Sequence, residues 1–105
     1  MATFYNVPIR ALSDVAATFV TSTSDSTIVL SILCANTTAS NTDVTVDLLS
    51  AADAVNARIA STIAVPADSN VDILGNKFIL PSGQKLKFGT STSGSLDVAV
   101  SYVEV

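Results

Sequence analysis

The stretch Thr42-Asp-Val-Thr-Val-Asp-Leu-Leu-Ser50 alternates apolar and polar side chains, with Val44, Val46 and Leu48 on one face and Thr45 and Asp47 on the other. A period of two marks an extended strand with one face on a core, because successive side chains leave opposite sides of the pleat. The same period returns in Ser95-Leu-Asp-Val-Ala-Val-Ser-Tyr-Val-Glu-Val105, where Leu96, Val98, Val100 and Tyr102 share a face. Upstream, Thr27-Ile-Val-Leu-Ser-Ile-Leu-Cys-Ala35 is apolar on both faces and reads as a central strand. Ile59, Ile63 and Val65 mark another strand ending at Pro66, and Val71 to Leu74, Lys77 to Leu80 and Lys85 to Phe88 are shorter. Phe4 to Ile9 and Ala16 to Ser22 complete the set at the N-terminal end. Turn clusters separate these runs at roughly ten-residue spacing: Asn36 to Asn41, Pro66 to Asn70, Gly75-Asn76, Pro81-Ser-Gly83 and Ser91 to Gly94.

Short strands at that spacing predict an all-β fold: one antiparallel β-sandwich over residues 1–105, jelly-roll or immunoglobulin-like, with about eight strands. One helical reading competes, over the Ala-rich Leu48 to Arg58; its apolar residues run straight out of the preceding strand, which favours a wide hairpin connection. The expected inward set is Ile28, Leu30, Ile32, Cys34, Val44, Val46, Leu48, Ile59, Ile63, Leu86, Phe88, Leu96, Val98 and Val100.

Composition narrows the function classes. Of 105 residues 49% are hydrophobic and only 13% charged, against about 25% charged in an average domain. That rules out a disordered chain. A net charge of −4 argues against nucleic acid and anionic membranes as partners, since both need basic patches. The longest apolar run, Ile28 to Ala35, is far short of the roughly 20 residues of a membrane helix. The opening Met1-Ala-Thr-Phe-Tyr-Asn-Val-Pro8 has neither the basic nor the apolar region of a secretory signal. With no His and one Cys, His-based triads and the usual Zn sites cannot be assembled. The chain therefore reads as a non-enzyme without cofactor or metal.

Candidate chemistry is sparse. Asp43 and Asp47 share a strand face about 13 Å apart, too far for a retaining carboxylate pair, and read as solvated. Asp68, Asn70 and Asp72 alternate, but no Ca²⁺-loop pattern surrounds them; they read as turn residues whose side chains bond the backbone. Cys34, inside the most apolar run, reads as a small buried hydrophobe. The sequon at Asn36-Thr37-Thr38 is expected to be accidental. Ser and Thr number 26 against 14 charged residues, so hydroxyls stand where strands usually carry Lys and Glu. Low edge and face charge suits surfaces that meet other chains, although Thr-rich strands are also simply good strands.

Two clusters qualify as partner-binding candidates. Phe4, Tyr5, Val7 and Ile9 are apolar around Pro8, which removes a ladder donor and confines residues 1–12 to an edge strand or an assembly arm. Arg10, the only cation before Arg58, is placed to meet a neighbour's acid. Lys85 and Lys87 flank Leu86 and point outward together, as solvated lysines or as a basic spot for an acidic neighbour.

From residue 26 onward the order of signals resembles small β-sandwich virion proteins of tailed phages, particularly marine and cyanobacterial ones. The resemblance rests on Val29-Leu-Ser-Ile-Leu-Cys-Ala-Asn36-Thr-Thr and Val44-Thr-Val-Asp-Leu, then Ile63-Ala-Val-Pro66-Ala and Val71-Asp-Ile-Leu-Gly75. It continues through Phe78-Ile-Leu-Pro-Ser-Gly83-Gln-Lys-Leu86 and Gly94-Ser-Leu-Asp-Val-Ala-Val-Ser-Tyr102-Val-Glu104. It implies a structural role in the virion after synthesis in the host cytoplasm, as a capsid decoration or cement protein or as a neck, tail or fibre component. The implied partners are other virion proteins and copies of the chain itself, as a homo-oligomer in the assembly. A host- or carbohydrate-binding module is the alternative, which the absence of Trp disfavours.

Overall fold

The computed structural model describes residues 3–23, 26–74, 77–92 and 94–105; Met1, Ala2 and the turn expected at Gly75-Asn76 lie outside them. The described residues form nine strands: β1 (Thr3–Ile9), β2 (Ala17–Thr21), β3 (Ser26–Asn36), β4 (Thr42–Leu49), β5 (Val55–Val65), β6 (Asn70–Asp72), β7 (Phe78–Pro81), β8 (Lys85–Gly89) and β9 (Leu96–Glu104). No described residue is helical. Over Leu48 to Arg58 the chain finishes β4, turns and begins β5. The Ser50 hydroxyl accepts from the N–H of Ala52 and of Ala54, and Asp53 takes a left-handed φ of 67° to close the turn.

Two antiparallel sheets form. Sheet I runs β1-β9-β3-β6, with β7 also on β3, and sheet II runs β2-β8-β4-β5. β6 and β7 pair with opposite ends of the same edge of β3, so together they act as one broken strand. The pairs then nest: β4 with β5 innermost, β3 with β6 and β7, β2 with β8, and β1 with β9 outermost. A long antiparallel ribbon folded over on itself in this way is a jelly roll, so the topology decides between the two sandwich types that the alternation permits.

Between the sheets lie Ile32, Cys34, Val44, Val46, Leu86, Phe88, Leu96, Val98 and Val100, each at most 2% exposed, as the alternation predicts. Leu48 and Ile59 pack against this core from its margin. Ile28 and Leu30 do not belong to it. A β-bulge between Val29 and Ser31 shifts the register against β9, so the inward phase is Thr27 and Val29 before the bulge and Ile32, Cys34 and Asn36 after it. Ile63 is also outside, 39% exposed on edge strand β5. Beside it Val44 and Val46 face Ile63 and Ala60, which leaves one extra residue on β5, and Thr62 takes a left-handed φ of 49°. Ile9, Leu12, Val20, Val29, Ala60, Val65 and Leu80 complete the core.

Hydroxyls and one amide close the ends. Thr42, Thr90 and Ser95 are buried, and the Thr42 hydroxyl bonds those of both Thr90 and Ser95, joining sheet II to the start of β9. Asn36, 4% exposed, donates its amide to the carbonyls of Ser40 and Val65 and accepts from the N–H and hydroxyl of Thr38. The sequon amide is therefore committed inside the fold. At Pro81-Ser-Gly83-Gln84 the Gln84 N–H donates to the Pro81 carbonyl, and Gly83 supplies the φ of +83° that the third position of a type II turn demands.

Candidate functional site

The two outer faces differ in kind. On sheet I, pairing aligns side chains into rows across the strands. One row is Phe4, Val103, Ile28 and Ile79, from β1 through β9 and β3 to β7. Its ends are the open ones, with Phe4 73% and Ile79 63% exposed, whereas Val103 in the middle is covered by its neighbours. The next full row is Pro8, Ala99, Leu33 and Asp72. Beyond it, Asp97, Ala35 and Asn70 align, with Arg10 following directly on β1. Pro8, Leu33, Ala35 and Ala99 line an open depression of about 310 Å³ that Arg10 and Asp97 also border. The small Ala side chains between larger neighbours make this hollow.

Sheet II presents polar groups that largely answer one another. The row Thr18, Lys87, Asp47 and Arg58 crosses it. Arg58 Nε donates to Asp47 Oδ1 at 2.8 Å, and Lys85 Nζ to Asp53 Oδ1 at 2.6 Å. Asp47, expected to be solvated, is only 8% exposed because Arg58 and its strand neighbours lie over it. Asp43 is half-buried, with Oδ1 accepting from the Ser91 N–H.

The edges offer little to a strand seeking a partner. Pro8 interrupts the donors of β1, β2 bulges between Thr18 and Val20, β5 is irregular, and β6 and β7 are short. Each is a known way of blunting an edge.

Against this geometry the sequence candidates separate. Residues 3–9 form an edge strand paired with β9 along their whole length. Ile9 is 6% exposed and belongs to the chain's own core, which takes it off the surface, and Val7 is partly buried against that core. Of the edge strand and the arm that Pro8 leaves open, residues 3–9 take the edge strand, and the pairing with Val98 and Val100 turns Val7 and Ile9 inward. Tyr5 stacks on Tyr102 at 5.1 Å between ring centroids and stays 43% exposed. Phe4 and Arg10 stand at opposite ends of the outer face of sheet I. Lys85 and Lys87 lie on the other sheet, and Lys85 is held by Asp53, so the two expected clusters do not converge. Leu33, Val103 and Ile79 are face residues that the sequence reading did not single out. Val103 carried a signal: it is apolar in the outward phase of β9.

Among the described residues three groups are shifted from their ordinary values. Burial, helped by the charge of Asp72, pushes the Cys34 thiol up to about 12. Partial burial, then Glu104 and Tyr5, raises Tyr102. Glu104 is held low chiefly by Thr23, whose hydroxyl and N–H donate to Oε2 at 2.8 and 3.1 Å. Asp72 Oδ1 accepts from the Leu74 N–H, the turn role expected of it. Among the described residues no three His, Cys, Asp or Glu side chains come together as a metal site would require.

Neither a protein-family model nor a curated protein sequence matches the chain. Solved structures do. The VP2 subviral particle of infectious bursal disease virus aligns with a TM-score of 0.55 at 12% identity, over 98% of this chain and 33% of that one. The Gx strain of the same virus aligns with a TM-score of 0.53 at 15% identity, over 99% and 33%. The chain thus spans about a third of the length of the structures it matches, and at such identity the likeness is one of fold.

Proposed function

We propose that this chain is a non-enzymatic structural protein of a virus particle, and specifically a capsid decoration or cement protein of a tailed phage. The observation that carries the reading is the fold itself, which aligns over nearly the whole chain with VP2 of the infectious bursal disease virus subviral particle. Three further features support it. The strand and turn pattern resembles tailed-phage virion proteins, the outer face of sheet I exposes the apolar side chains of Phe4, Leu33 and Ile79, and two ion pairs, Arg58–Asp47 and Lys85–Asp53, take up charge on the side of sheet II. In this reading the chain is made in the host cytoplasm and works in the particle, bound to other virion proteins and to copies of itself.

Quantitative peptide mass spectrometry on gradient-purified particles of the encoding phage tests the role. The expected result is the chain at many copies per particle; its absence from particles, with abundance in the lysate, refutes it. For the cement role, particles lacking the chain should lose genome at lower temperature than complete ones. Particles that retain their genome equally well place the chain in the neck, tail or fibre instead.

A further inference from the structure

We infer that the outer face of sheet I is a two-fold interface between two copies of this chain. The face is self-complementary. Phe4 and Ile79 are the two most exposed apolar side chains of one row and stand at its opposite ends, on β1 and β7. Arg10 lies beyond β1, while Asp72 lies on β6 at the far edge. A two-fold axis parallel to the strands, between β9 and β3, exchanges the edges. Phe4 of each copy then meets Ile79 of the other. Arg10 comes over Asn70 and within one row of Asp72, inside an arginine's reach. The hollow floored by Leu33, Ala35 and Ala99 lies near the axis. Every contact occurs twice, as an isologous interface requires.

Charge and area both favour a second copy as occupant. Among the described residues Arg10 makes no ion pair in its own chain, so its charge remains available. Four strands at about 4.8 Å spacing, over some seven residues at about 3.4 Å, give roughly 450 Å² of flat sheet per copy. Side-chain relief brings the two copies together to about 1,000 Å², the lower limit of specific interfaces. The dimer is therefore weak and concentration-dependent, which suits a unit that closes its contacts only in an assembly. Face-to-face sheets with aligned strands pack well, so the arrangement needs no change of fold. Edge-to-edge addition is opposed by Pro8 and the bulges.

The face bears on the assembly reading above, and the experiment separates the two. Sedimentation velocity of the full chain across a concentration series should show a monomer–dimer equilibrium in the micromolar range. Phe4→Ser and Ile79→Ser should each weaken it at least tenfold, and Arg10→Glu and Asp72→Lys should do the same, with circular dichroism unchanged. Mixing the Arg10→Glu chain with the Asp72→Lys chain should restore a dimer, because the mixed pair matches charge at both contacts and neither variant does so alone. A wild-type chain that stays monomeric throughout, dimers indifferent to Phe4 and Ile79, or mixed variants that remain apart would each overturn the interface. A monomer that still enters particles overturns the interface and leaves the virion role standing; a dimer absent from particles does the reverse.

Discussion

Replacing Asn36 by Ala removes four hydrogen bonds at a site that is 4% exposed. The amide orientation is set by its partners: the Thr38 N–H can only donate, and the carbonyls of Ser40 and Val65 can only accept. Two of the losses are softened, since the Thr38 hydroxyl and the Ser40 carbonyl keep each other at 3.0 Å. The Thr38 N–H and the Val65 carbonyl lose the side-chain partner outright. A net hydrogen bond contributes about 1 kcal/mol, and a buried group left unpaired costs about 1–3 kcal/mol. Asn36→Ala should therefore destabilise by about 2–4 kcal/mol, a large part of the roughly 5–15 kcal/mol that holds a domain folded. Urea denaturation followed by circular dichroism should show the midpoint falling with the m-value unchanged, and Tm falling by about 10–25 °C. Asn36→Asp sharpens the test. It keeps the acceptor for Thr38 but points a carboxylate at two carbonyl oxygens, so at pH 7 it should be worse than Ala. Protonation in the folded state relieves that repulsion and restores a donor, so the Asp variant should gain on the Ala variant as pH falls. A loss below about 0.5 kcal/mol for Asn36→Ala, or parallel pH profiles for the two variants, would refute the buried network.

Further outcomes follow from the same structure. Ile32→Ala should cost about 2–5 kcal/mol in urea denaturation and Leu30→Ala less than about 1.5 kcal/mol, because the bulge keeps Leu30 out of the core; equal losses would remove the bulge from the account. Cys34 should resist a thiol-specific chromogenic reagent at pH 8 until the chain unfolds, since its thiol is buried and raised to about 12; rapid native labelling would contradict this. Glu104 has a folded pKa depressed below its ordinary 4.5, so its bonds to Thr23 stabilise fully above that value, and the benefit is lost as pH falls through the folded value. The stability difference between wild type and Glu104→Gln should accordingly fade on acidification below about pH 4.5 and be flat above it; a difference constant down to pH 2 would contradict the assignment.

The alternation of Val44 and Val46, and of Leu96, Val98 and Val100, was legible because a strand with one wet face writes its phase into the sequence. From those runs and the turn clusters, the all-β class and the sandwich follow without coordinates. In β3 the same logic had nothing to act on. Thr27 to Ala35 is apolar at nearly every position, so a period of two cannot choose a phase, and only the bulge at Leu30 decides that Val29 and Ile32, not Ile28 and Leu30, are inside. Pro8 correctly confined β1 to an edge. Which side of it faced inward depended on Val98 and Val100, some ninety residues away, and they take Val7 and Ile9 into the core. Asp47 looked solvated because its cover, Arg58, arrives from the next strand. The outer face of sheet I has the same origin: Phe4, Ile28, Ile79 and Val103 are scattered along the chain and become one row only when four strands align. Local periodicity is a property of neighbours in sequence, whereas phase at a bulge, cover over a charge and a row across a sheet are properties of register, which long-range pairing alone sets.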